Sequence, residues 1–326
     1  MKILVTGGAG YIGSHMVRLL LKNGHQVAVL DNLENGHRES LPAEITFFKT
    51  DLRNLTETEK TLASFQPEAV IHFACYIVAG ESMEKPFLYF ENNLLGGINL
   101  LEAMRKKNID KIIFSSSAAV YGKGKNKPLK ETDPIAPSNT YGETKAMLEK
   151  IISWYAKIYK IRYVAFRYFN AAGANYGIGE QHEPETHLIP LLLQVANNRR
   201  KNAFIFGDDY PTKDGTCIRD YIHVTDLCQA HLKALEYLTD PNNSSEIFNL
   251  GTTEGKSVLE ITELIEKTIG KKLRIKIAKR RPGDPPSLTA DITKALKKLD
   301  WQPEKSLEEI ITSAWQWEQK LASNKS

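Results

Sequence analysis

Three side chains carry groups that could move a proton. Ser117 closes the run Ser115-Ser116-Ser117, and Tyr141 and Lys145 stand four residues apart in Tyr141-Gly142-Glu143-Thr144-Lys145. On a helix that spacing puts phenol and ammonium on one face. A free tyrosine titrates near pH ~10, too high for a base at neutral pH. A nearby lysine cation, and any further positive charge beside the ring, would favour the phenolate and depress that value. Ser117, at the C-terminal end of a strand, can hydrogen-bond the same substrate hydroxyl. A Tyr and a Lys so spaced are inert on most surface helices; what changes the reading is the loop upstream.

In Val5-Thr6-Gly7-Gly8-Ala9-Gly10-Tyr11-Ile12-Gly13, glycines fall at 7, 10 and 13, directly after a strand and leading into a helix. Gly7 permits the tight turn, Gly10 lets the backbone approach a pyrophosphate, and Gly13 lets helix and strand pack closely. The helix start offers free N–H groups to the phosphates. Asp31 ends the second strand, 18 residues past Gly13, where a carboxylate would accept hydrogen bonds from an adenosine ribose. It would repel a ribose 2′-phosphate, so NAD is favoured over NADP. Asp51 leaves two readings open: acceptor for the adenine amino group, or cap of the following helix.

These groups need a scaffold, and the apolar pattern supplies one. Lys2–Thr6, Gln26–Leu30, Ile45–Thr50, Ala69–Ala74, Lys111–Ser117 and Tyr163–Tyr168 read as buried strands. Helical patterns run from Ile12 to Gly24, from Pro86 to about Lys107 and from about Thr140 to Tyr159. Alternation of this kind implies an α/β fold of Rossmann type, a doubly wound parallel sheet covered on both faces. After Asn170 the rhythm loosens. Asn175–Thr186 is polar, and helices follow at Leu188–Ala196, Val224–Leu238, Val258–Ile269 and Leu307–Leu321. Short strands are expected at Phe204–Phe206, Ile247–Leu250 and Arg274–Ala278. The division is a dinucleotide domain over 1–172 and a smaller mixed α/β substrate domain over 173–326.

Composition narrows the class. Of 326 residues, 25% are charged and 42% hydrophobic, ordinary values for a globular protein. The net charge of +4 is too small and too dispersed to argue for nucleic acid. No apolar run approaches the roughly 18 residues that span a bilayer, so no membrane is expected. Cys75, Cys217 and Cys228 fit neither a disulfide framework nor a zinc site, and read as free thiols in a reducing cytoplasm. No metal is expected. Lys271, Lys272, Lys276 and Lys279 read as a solvated basic face, His72 as a satisfied core histidine, and His223 and Asp226 as structural groups at a helix start.

The motifs Thr6–Ser14, Asp31-Asn32-Leu33, Gly80-Glu81-Ser82, Ser115–Gly122, Arg167-Tyr168-Phe169-Asn170, Phe206–Tyr210, Asp214–Val224 and Arg280–Asp284 together resemble the extended short-chain dehydrogenase/reductases. Within them the chain is similar to the UDP-glucose 4-epimerase family, from residue 1 to about 320. The resemblance implies NAD held by Gly7, Gly10, Tyr11, Ile12, Gly13, Asp31, Asn32, Asp51, Leu52, Phe73, Ala74, Asn92, Ser115, Tyr141, Lys145 and Tyr168. It implies a UDP-sugar held by Ser117, Tyr141, Asn170, His187, Leu188, Phe206, Arg219, Tyr221, Arg281, Asp284 and Leu288. Of these, Asn170 would bind diphosphate, Leu188 and Phe206 would flank uracil, and Arg219 and Arg281 would grip phosphates. Asp284 would take a ribose hydroxyl.

The implied reaction is interconversion of UDP-galactose and UDP-glucose through a transient 4-keto sugar, with Tyr141 as base and acid. Homodimers through Pro86–Lys107 and Thr140–Tyr159 are also implied. Two departures stand out. Ile77 occupies a position where some members carry Lys, and Leu288 stands where Tyr or a smaller residue walls carbon 2, which suggests that N-acetylated sugars fit. Ala118-Ala119 replaces the Asp-Glu pair that a 4,6-dehydratase needs. The alternatives are a 4-epimerase of another UDP-sugar (an N-acetylhexosamine, arabinose or a uronate) and a non-catalytic NAD-binding regulator.

Overall fold

A computed structural model describes residues 1–124, 127–281 and 284–323. Pro282 and Gly283 of the Arg280–Asp284 motif, and 324–326 of the expected second domain, lie outside the described residues.

Six strands of the first half form β1 (Lys2–Thr6), β2 (Gln26–Asp31), β3 (Thr46–Lys49), β4 (Ala69–His72), β5 (Lys111–Ser117) and β6 (Arg162–Tyr168). With Glu246–Leu250 they make a seven-stranded sheet, parallel throughout, in the order Glu246–Leu250, β6, β5, β4, β1, β2, β3. Ile3, Leu4, Val5, Val70 and Ile71 are fully buried. Such continuous apolar runs are what a sheet covered on both faces requires. Helices Tyr11–Lys22 and Val224–Thr239 pack on one face. Leu55–Phe65, Gly96–Lys106 and Thr140–Tyr159 cover the other. The strand order reverses between β1 and β4, and a ligand binds outside the strand ends at such a switch point.

The helix Thr140–Tyr159 is held from inside. Glu149 accepts from Arg167 Nη2 at 2.7 Å and Nε at 3.0 Å, and from Ser116 Oγ, with both charged side chains almost wholly buried. Arg167 Nη1 also donates to Tyr121 Oη at 2.9 Å. Breaking one half of such a buried pair typically costs about 3–5 kcal/mol. The clamp therefore fixes the register of this helix against β5 and β6, the elements carrying Tyr141, Lys145 and Ser117.

Three features differ from expectation. The helix expected over Pro86–Lys107 begins as Pro86–Tyr89, widens into a π-turn at Phe90–Leu95 and resumes as Gly96–Lys106. Asn93 lies in the widened turn, accepting from Tyr76 N at 2.8 Å and donating to Thr144 Oγ1 at 3.2 Å. Apolar spacing carries no sign of that extra residue. Second, Val224–Thr239 and Glu246–Leu250, expected in the second unit, return to the large sheet, because their apolar faces complete its core beside β6. Third, Ile218–His223 is a strand that the pattern did not announce, since Arg219 and Asp220 interrupt its apolar run. Asp220 is fully buried there, accepting from the backbone N–H groups of Thr252, Thr253 and Ala290.

Ile218–His223 organises the remaining unit. It pairs with Asn170–Ala172, Gly255–Ser257 and Ser287–Leu288, beside a two-stranded sheet of Ala203–Phe206 and Ile275–Ala278. Leu188–Ala196, Val258–Ile269 and Leu307–Ser323 close a separate core around Leu192, Leu193, Ile261 and Ile310. No helix among the described residues is long and apolar enough to cross a membrane.

Candidate active site

A cleft of about 870 Å³ opens at the switch point. Gly7, Gly10, Tyr11, Ile12 and Gly13 form one wall, and Asp31, Asn32, Asp51 and Leu52 lie at one end. Phe73, Ala74, Asn92, Ser115, Ser117, Tyr141, Tyr168 and Asn170 also line it. Lys145 does not; it lies 2% exposed behind the wall, donating to Ser115 O at 2.6 Å and Cys75 Sγ at 3.0 Å.

The glycine loop fits a dinucleotide. Gly7 has φ +69°, and a Cβ there would stand 2.5 Å from Ala74 N. At Gly13 a Cβ would come within 2.2 Å of Gly7 O. Gly10 caps helix Tyr11–Lys22 without a side chain, so the first N–H groups face the cleft. Asp31 Oδ2 accepts from Ala9 N at 3.0 Å and Oδ1 from Leu33 N at 2.9 Å. Burial outweighs these bonds and raises the Asp31 carboxyl above its ordinary value. Asp51 is not the helix cap: Asn54 accepts from Glu57 N, while Asp51 is held by Arg53 and by Asn32 Nδ2 at 3.2 Å. Tyr168 Oη meets His231 Nε2 at 2.5 Å.

Tyr141 sits one residue into helix Thr140–Tyr159, whose Asn139 cap accepts from Gly142 N at 2.8 Å. Its own N–H donates to buried Ser82 Oγ at 3.1 Å, which gives the Gly80-Glu81-Ser82 motif a positioning role. Lys145 Nζ lies 5.8 Å from the centre of the Tyr141 ring. Burial raises Tyr141 above its usual value, and Lys145 and a hydrogen bond with Ser117 only partly oppose it. Burial also works against the Lys145 charge, but Cys75, Tyr141 and Glu149 more than restore it.

A second cavity of about 230 Å³ adjoins, lined by Asn170, His187, Leu188, Phe206, Arg219, Tyr221, Arg281 and Asp284. These residues were anticipated from separate motifs, and the fold brings them together. Arg281 lies over the Phe206 ring at 4.1 Å. Arg219 is paired with Asp284 at 3.1 Å and bound to Pro285 O, so its guanidinium is already engaged. Asn170 Nδ2 donates to Asp220 O at 3.0 Å. Leu288 is the exception. It lines neither cavity and packs against a cluster of Ala118, Val120, Tyr121, Leu129, Phe169 and Ala290, because its strand pairing with Arg219 turns it there. Ile77 does face the large cleft.

The structural readings hold for His72, which meets Thr6 Oγ1 at 2.7 Å, and for His223, which accepts from Thr225 N at 3.0 Å. Asp226 accepts from Lys305 N at 2.9 Å. Lys271, Lys272, Lys276 and Lys279 are exposed. The three cysteines are free.

One group was missed. Glu180, His182, Glu185 and His187 converge, with ligand-type atoms all within 4.8 Å of one another. Burial works against charge here, yet the imidazoles hold Glu180 below the carboxylate range and the carboxylates hold His187 above the usual imidazole value. The spacing of these four in 180–187 was the available signal; His187 was expected to hold the UDP-sugar, and the other three lay in the polar stretch Asn175–Thr186.

A parallel sheet with this glycine loop, acid and switch-point cleft defines a dinucleotide-binding α/β protein. The model of the NAD dependent epimerase/dehydratase family matches residues 3–251, and the chain belongs to that family. It is 49% identical to the UDP-glucose 4-epimerase of Streptococcus mutans, over 97% of this chain and 96% of that one. The UDP-glucose 4-epimerase of Brucella ovis, solved in complex with NAD, superimposes with a TM-score of 0.93 at 42% identity, covering 96% of this chain and 97% of that one. That of Bifidobacterium longum, solved with NAD+ and UDP, gives 0.92 at 36%, covering 98% of each.

Proposed function

We propose that this protein interconverts UDP-galactose and UDP-glucose by inverting carbon 4, with NAD as a resident cofactor. The carrying observation is the placement of Ser117 and Tyr141 in the dinucleotide cleft, next to a second cavity lined by Phe206, Arg219 and Arg281. Gly7, Gly10, Tyr11, Ile12 and Gly13 would hold the pyrophosphate, Asp31 the adenosine ribose, and Asn92, Ser115 and Tyr168 the inner end. When bound, NAD+ reversibly accepts hydride and brings a positive charge into the cleft. Tyr141 takes the proton of the sugar 4-hydroxyl and later returns it, and Ser117 orients that hydroxyl. Lys145, fixed behind the wall, biases the phenol toward its anion.

The neutral 4-keto sugar must turn about its diphosphate link to present its other face. Phe206 with Arg281, and Arg219 with Asp284, would keep the nucleotide seated while it does. A cation stacked on an aromatic ring can cover a base and reach phosphate oxygens at once. Residues 1–172, completed by Val224–Leu250, form the cofactor half; the remainder of 173–326 forms most of the substrate half.

We further propose a homodimer through Pro86–Lys106 and Thr140–Tyr159. Phe87, Leu95, Met147, Trp154 and Ile158 expose large apolar side chains on these helices, more than isolated surface residues require. The activity is tested by adding UDP-galactose to purified protein without NAD. Carbon-4 inversion should be visible by NMR, and about one NAD per chain should appear on denaturation. A need for stoichiometric added NAD would instead indicate a net dehydrogenase.

A further inference from the structure

We propose that Glu180, His182, Glu185 and His187 form a four-ligand site for a divalent transition-metal cation of the zinc class, clasping the wall between the two cavities. Two imidazoles and two carboxylates are donors that suit such an ion. The geometry supports it. His187 Nδ1 lies 2.6 Å and His182 Nδ1 3.1 Å from Glu180 Oε1, and they lie 3.4 Å and 4.0 Å from Glu185 Oε1. A tetrahedral ion with bonds of about 2.0–2.1 Å holds its ligands about 3.3 Å apart, so small adjustments would seat it.

A second observation separates this cluster from an ordinary ion pair. Both Nδ1 atoms are shut off from solvent and turn to the two carboxylates instead of to water. Glu180, 8% exposed, directs its carboxylate to the two imidazoles. Four donors thus face one common centre. The surroundings prepare them: Thr186 N and His187 N donate to Glu185 Oε1 at 2.7 and 2.8 Å, orienting that carboxylate as outer bonds orient metal ligands.

Its role follows from its place. Glu180 follows strand Ile178–Gly179, and His187 caps helix Leu188–Ala196. Glu180 and His187 line both cavities, and Gln181 O meets His37 Nε2 at 3.0 Å beside the cofactor loop. One ion would tie strand, loop and helix together. With four protein ligands it leaves no open position, so it is structural rather than catalytic.

The full chain, stripped with a chelator, is titrated with Zn2+ by calorimetry, and its melting temperature is followed with and without zinc. One equivalent per chain and a raised melting temperature are expected. H182A and E185Q should each weaken binding more than about tenfold, a typical cost of disturbing a metal site, and lose the thermal shift. E185Q is nearly isosteric, so it keeps the test meaningful if H182A fails to fold. Absence of stoichiometric uptake by the parent, or uptake by E185Q and H182A as tight as the parent's, would overturn the site and leave an ion-pair cluster only.

Discussion

Tyr141 illustrates how a reactive group is held in reserve. Burial raises its phenol, and Lys145 and Ser117 oppose that rise. Replacing Tyr141 by Phe removes the proton carrier but keeps the ring, so kcat should fall about 10²–10⁴-fold, with bound NAD and melting temperature unchanged. Steady-state kinetics and NAD released on denaturation check both halves. At this scale residue types at fixed spacing were informative: Tyr141, Ser117 and Asp31 line one cleft, with Lys145 behind its wall. Leu288 was not legible, because its direction depends on a strand pairing between residues nearly seventy apart. The role of Ser82 was hidden for the same reason, its bond to Tyr141 N spanning two helices.

The glycine loop and the helix it opens form the element on which the cofactor half depends. A methyl at Gly13 would collide with Gly7 O at 2.2 Å, and backbone cannot give way as a flexible side chain would. Gly13→Ala should therefore reduce NAD recovered from purified protein at least tenfold, measured spectrophotometrically after denaturation. Full occupancy in that variant would contradict the assignment of the loop. The strands of the first half were readable because a doubly covered sheet leaves unbroken apolar runs such as Ile3-Leu4-Val5. The π-turn at Phe90–Leu95 was not, since one extra residue in a helical turn leaves the apolar spacing nearly intact. Ile218–His223 was obscured by Asp220, whose charge is satisfied by N–H groups from segments thirty to seventy residues away.

Across the whole molecule, four buried histidines contribute to the response to acid. Burial lowers His15, His223 and His231 to about 4 and His72 to about 3. Above pH 6.5 both folded and unfolded chains keep them neutral, and their contribution is intact. Below 6.5 the unfolded chain binds protons that the folded one refuses, so stability falls as pH drops toward 4, by up to about 1.4 kcal/mol per pH unit for each histidine. Urea unfolding measured between about pH 8 and 4 should show the decline beginning near 6.5; a flat profile down to about 4.5 would contradict it. The apolar faces of Pro86–Lys106 and Thr140–Tyr159 act at the same scale. Light scattering should give twice 36.7 kDa, and Trp154→Glu with Met147→Glu should halve it.

The two halves of the molecule make sense together only if carbon 4 loses its hydrogen and regains the same one within a single closed site. UDP-galactose carrying deuterium at carbon 4 tests this in ordinary water. The UDP-glucose formed should retain the label at carbon 4 in full, read by NMR or mass spectrometry. Loss of the label to solvent over the course of inversion would contradict the proposed mechanism.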